Sequence, residues 1–161
     1  MSCDSVDEAM SQIEEYEESI KSRLIELVAS LTEHGIETAR SWISKAQGDC
    51  TDAYVDYTFN ASGDIIKAEI YLSGRDALFV EFGAGIHYNA GGSPHASQFG
   101  YGVGTYPGQT HAFDDHWYYT DKETGATRQL SYGTEGTYPM YHSATEIRNR
   151  AIQDAVEIFG R

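Results

Sequence analysis

The amino-acid sequence predicts an α+β domain. It comprises a long N-terminal helix plus a short helix, an antiparallel sheet of four to five strands holding a long Gly/Tyr-rich loop, and a C-terminal helix packed on the sheet. Three observations predict it. Apolar residues recur at three- and four-residue steps through residues 5–46, then at steps of two through 53–82, and at helical steps again after Pro139. A chain of 161 residues without repeats or a linker is one domain with one core.

Ser5-x-x-Glu8 reads as a capping box, with Asp7 and Glu8 near the positive end of the helix dipole. Val6, Met10, Ile13, Tyr16, Ile20, Leu24, Leu27 and Leu31 then draw one apolar stripe. His34-Gly35 is expected to end this helix, and Ile36 to Ala46 to form a second one. Val55, Tyr57, Phe59 and Ala61 alternate with polar residues, Ser62-Gly63-Asp64 turns the chain, and Ile66, Ala68, Ile70 and Leu72 alternate on the return. A β-hairpin is expected there, followed by a third strand from Ala77 to Phe82.

From residue 83 to 112 no period holds. Half of the chain's 16 glycines fall between Gly83 and Gly108, with Tyr88, Tyr101 and Tyr106 among them. A long loop on a rigid scaffold is where contacts form, so these three tyrosines are the candidate contact residues. Residues 113–132 read as a second hairpin about Asp121-Lys122-Glu123-Thr124-Gly125. Pro139 opens the last helix, 139–159, where its missing N–H costs nothing.

Chemical readings are weaker. His87, His95, His111 and His116 lie in or beside the loop, but on a glycine-rich segment without evident supporting groups, so no metal site is expected. Glu81 stands in an apolar run and invites a role as a general base; strand alternation instead turns it outward. The glycine pairs are not followed by Lys-Ser/Thr at a helix start, and Ser143 lacks a triad partner spacing. No catalytic residue and no cofactor are expected.

Composition bounds the partners. A formal net charge of −14 excludes phosphate-driven nucleic-acid binding and disfavours an anionic membrane. Cys3 and Cys50 form no zinc spacing and no disulfide framework. No signal peptide or spanning segment is read from the sequence, so a soluble product is expected.

Val80-Glu81-Phe82-Gly83-x-Gly85, following an N-terminal helix and hairpin, and Gly133-Thr134-Glu135-Gly136-Thr137-Tyr138-Pro139-Met140, leading into the closing helix, resemble the tail-completion or neck proteins of tailed bacteriophages. The resemblance spans about Ser5 to Phe159. It implies a non-enzymatic virion subunit, made in the host cytoplasm, that assembles as a homo-oligomeric ring between head connector and tail. Its implied partners are itself, head-connector proteins, and tail-tube or tail-terminator proteins, with DNA passing through the ring. Glu81, Phe82, Gly83, Gly85, Pro139 and Met140 match the motif and are implied to be fold-defining or close to an interface. The loop is longer than the family pattern, and no Thr-Gly-x-Leu stretch precedes the hairpin. Two alternatives stay open on the residues: a small Tyr/Gly-loop module binding carbohydrate or peptide, and a His-dependent metallohydrolase.

Overall fold

The computed structural model describes residues 3–46, 52–63, 65–84, 94–101, 116–120 and 124–160. The chain folds as mixed helix and sheet, organised around one continuous helix. Helix α1, Cys3–Ile43, is 41 residues long, roughly 60 Å at about 1.5 Å per residue. The expected break at His34-Gly35 does not occur. Gly35 is a packing residue: a Cβ there would sit 2.7 Å from both Ile147 Cδ1 and Ile70 Cδ1, and 3.0 Å from Ser143 Oγ. The glycine lets two other elements close onto the helix, and burial of the neighbouring Ile36 and Ala39 outweighs its helix-propensity cost of about 1 kcal/mol.

Strands β1, Tyr54–Asn60, and β2, Lys67–Ser73, form the expected hairpin, paired antiparallel from Tyr54↔Ser73 to Asn60↔Lys67. Ala68, Ile70 and Leu72 occupy the less exposed face of β2, whereas Lys67, Glu69 and Tyr71 are exposed. A reciprocal clasp closes the base of the hairpin. The Asp52 N–H donates to Asp76 Oδ2 at 3.0 Å, and the Asp76 N–H donates to the Asp52 carbonyl at 2.9 Å.

The expected strand at 77–82 is a helix instead, α2, Ala77–Phe82. A short apolar run bounded by turns does not distinguish a strand from a buried helical turn. The helical spacing puts Ala77, Val80 and Glu81 on one buried face. The expected sheet of four to five strands is also revised. Among the described residues there are two separate two-stranded antiparallel sheets, the second joining β3, Trp117–Tyr119, to β4, Gln129–Ser131. Residues 121–123, in the expected turn of that hairpin, lie outside the described residues.

Helix α3, Pro139–Phe159, packs along α1 in the opposite direction. A polar seam fixes their register. Ser30 Oγ donates to Asp154 Oδ2 at 3.1 Å, and His34 Nε2 lies 3.9 Å from the same oxygen. Asp154 is buried, and the Ser30 bond offsets part of its desolvation. At the far end Arg23 Nη1 donates to the Phe159 carbonyl at 3.2 Å. Near the start of α3, the His142 ring stacks on Trp42 with centroids 3.7 Å apart, and Lys45 Nζ lies 3.4 Å from the Trp42 centroid. Burial, and then the Lys45 charge, hold the His142 imidazole below its ordinary pKa.

Gly35→Ala tests the packing role. Helix propensity alone would stabilise the variant by about 1 kcal/mol, whereas overpacking against Ile147 and Ile70 costs about 1–3 kcal/mol. The expected outcome is a net loss of stability in urea denaturation, partly restored by adding Ile147→Val.

Candidate functional site

The two motifs that stand out in the sequence meet in space at the start of α3. A helix leaves its first N–H groups without intrahelical partners. In α3 they are all accounted for. Pro139 has no N–H; the Met140 N–H donates to Glu81 Oε2 at 2.8 Å, and the Tyr141 N–H donates to Glu81 Oε1 at 3.2 Å. The His142 N–H then donates to the Tyr138 carbonyl at 3.0 Å and begins the regular ladder. Tyr138, the residue before the helix, gives no side-chain cap, and the first turn of α3 carries no acid. Glu81 therefore caps a helix that starts almost sixty residues later in the chain.

The expected outward orientation of Glu81 is thus corrected: the residue is 7% exposed. Alternation would have turned it to solvent in a strand, but in α2 it shares the buried face with Ala77 and Val80. Burial pushes the Glu81 carboxyl above its ordinary value of 4.5, while the two backbone N–H groups pull it back.

The chain segments around Glu81 are held at very close approach. Gly83 has φ +73°, and a Cβ on it would sit 2.6 Å from the Gly136 nitrogen. A Cβ on Gly136 would in turn lie 2.7 Å from the Gly83 nitrogen. No larger residue fits this crossing without moving backbone. Ala84 and Thr134 exchange both backbone hydrogen bonds, at 2.8 and 2.9 Å, and the Thr137 N–H donates to the Val80 carbonyl at 2.8 Å. These bonds hold Tyr138 in a left-handed conformation, φ 53° and ψ 46°, which costs an L-residue about 1–2 kcal/mol.

Phe82 extends the site into the Gly/Tyr-rich segment. Its ring centroid lies 4.9 Å from that of Tyr101 and 5.3 Å from that of Phe99. Phe82, Ala96 and Tyr101 form a small buried cluster. Tyr101 is 6% exposed, so it serves the core and not the contact surface expected of it. A short 3₁₀ helix, Ala96–Phe99, delivers it there. Gly85, Tyr88 and Tyr106 lie outside the described residues, as do His87 and His111.

The arrangement brings Glu81, Phe82 and Gly83 together with Gly136, Pro139 and Met140. It is a latch between two chain segments, with both carboxylate oxygens engaged by backbone N–H groups. Among the described residues no group of three or more His, Cys, Asp or Glu side chains could hold a metal ion. No helix among them is long and apolar enough to cross a membrane.

Two stability measurements test the latch. Glu81→Ala leaves two helix-start N–H groups without their acceptor and is expected to cost about 2–3 kcal/mol, with Glu81→Gln, which keeps one acceptor oxygen, costing about 1 kcal/mol. For the pH dependence, the raised folded pKa means that the folded state binds the proton more tightly than the unfolded state. The Glu81 contribution is fully present below about 4.5 and is lost as pH rises through the raised folded value. The stability of the native chain relative to Glu81→Gln should therefore decline with rising pH across that window. A difference that grows with pH would mean that the two backbone N–H bonds outweigh burial at Glu81.

Compared with protein-family models, with curated proteins and with solved structures, the chain finds no match.

Proposed function

We propose that the chain is a non-enzymatic structural subunit of a tailed-bacteriophage virion, a neck or tail-completion protein that joins head connector and tail as a homo-oligomeric ring. The observation that carries this reading is the latch. Parts of the two motifs behind the resemblance, Val80-Glu81-Phe82-Gly83 of the first and Gly136-Thr137-Tyr138-Pro139-Met140 of the second, are far apart in sequence and form one hydrogen-bonded unit. Glu81 caps α3, Gly83 and Gly136 allow the backbone crossing, and Pro139 opens the helix. In this reading the net charge of −14 lines a passage that duplex DNA crosses without being held, because like charge suppresses phosphate contacts. An assembled ring whose lumen is neutral or basic would contradict that lining.

The DNA flanking the gene tests the proposal. Capsid and head-connector genes on one side and a tail-tube gene on the other are the expected result. Metabolic neighbours, with no virion genes nearby, would overturn it.

A further inference from the structure

Two unfinished surfaces lie on the same chain. The first is the leading half of α1. Every residue from Ser5 to Ser19 is exposed. Val6, Met10, Ile13 and Tyr16 stand 47%, 56%, 59% and 67% exposed, and their spacing places them along one helix face. The second is an apolar groove of about 290 Å³. Val28 and Leu31 of α1 belong to its lining, together with Ala68 and Ile70 of β2 and Ala144 and Ile147 of α3. None of its lining residues is charged.

We propose that the Val6–Tyr16 face of one copy docks in this groove of a second copy. The contact rests on the ring reading above and gives it a specific interface. An amphipathic helix laying anchors spaced by three and four residues into an apolar groove is a recurrent recognition mode. The Val6–Tyr16 face of the same copy cannot fill this groove. Its residues Val28 and Leu31 continue the same unbroken helix, and at about 1.5 Å per residue Tyr16 stays roughly 18 Å from Val28 along the axis. Charge opposes the simplest rival, pairing of two α1 segments side by side. Between Ser5 and Ser19 the helix carries six carboxylates and no cation, and such flanks repel one another. The groove offers an uncharged lining. A projection on one copy and a groove on the next is a heterologous contact, the kind that closes into rings or continues as filaments.

The test mixes two variants of the full chain and follows them by sedimentation velocity, with far-UV circular dichroism confirming the fold. Ile13→Asp spoils the projecting face and Ala144→Asp spoils the groove. The native chain is expected to assemble at high concentration. Each variant alone should be monomeric, its association weakened by roughly thirtyfold or more, as for a hot-spot residue. Their equimolar mixture should give a one-to-one dimer and nothing larger, because one intact projection then meets one intact groove. Assembly that survives Ile13→Asp overturns the contact. So does assembly lost on Ile152→Asp, on the exposed outer face of α3, but kept in Ala144→Asp. A native chain that stays monomeric at its solubility limit overturns it too. If rings form and join virions despite Ile13→Asp, the contact falls and the neck reading stands. If the mixture gives the dimer but no virion contains the chain, the contact stands and the neck reading falls.

Discussion

A buried carboxylate at the start of α3 sets the architecture. Glu81 reaches from the short helix α2 and accepts hydrogen bonds from the backbone of Met140 and Tyr141. An anion at this end also meets the positive end of the helix dipole. The other end of α3 is served in the opposite sense, by Arg23 of α1 donating to the last helical carbonyl, at Phe159. Helix α3 has no acid in its first turn and no base in its last. Both terminal charges come from other elements, so the helix is completed only in the folded chain. That couples local structure to topology: α3 is fully capped only when α2 and α1 are in place.

Close packing follows from the same constraint. Glu81 reaches the α3 backbone because Gly83 and Gly136 cross without side chains between them, and because the Ala84–Thr134 bridge holds the crossing. Phe82, on the residue between, turns into the cluster with Ala96 and Tyr101. Three consecutive residues thus cap a helix, anchor a loop and allow a backbone crossing. Farther along, Gly35 allows Ile147 of α3 and Ile70 of β2 to converge on α1. The stiff α1 then stands as a scaffold at one end of the chain and a projecting arm at the other.

The parts of this architecture legible in the sequence are those fixed by local period. The stripe from Val6 to Leu31, the alternation in the first hairpin and the Pro139 start of α3 each depend on near neighbours in the chain, and the structure places helix, hairpin and helix there. Misreadings occur where a distant residue decides. Gly35 looks like a helix stop until Ile70 and Ile147 are seen to need its space. Ala77 to Phe82 looks like a strand because six residues are too few to show a helical period, and strand alternation points Glu81 outward. One signal for Glu81 is present: α3 opens on Tyr138-Pro139 without Ser, Thr, Asp or Asn as a cap, so its N–H groups require an acceptor from elsewhere. The partner itself is a tertiary fact. Tyr101 illustrates the same limit, since Tyr in a glycine-rich segment reads as a contact residue and Phe82 makes it core.

The most direct measurement is amide hydrogen exchange at Met140 and Tyr141, in the native chain and in Glu81→Ala. With Glu81 as their acceptor, both amides should be protected in the native chain and lose that protection in the variant. Amides in the α1–α3 seam around Asp154 should keep most of theirs. Equal protection of Met140 and Tyr141 in the two proteins would mean that another group caps α3, and the latch would not be the constraint on which the fold depends.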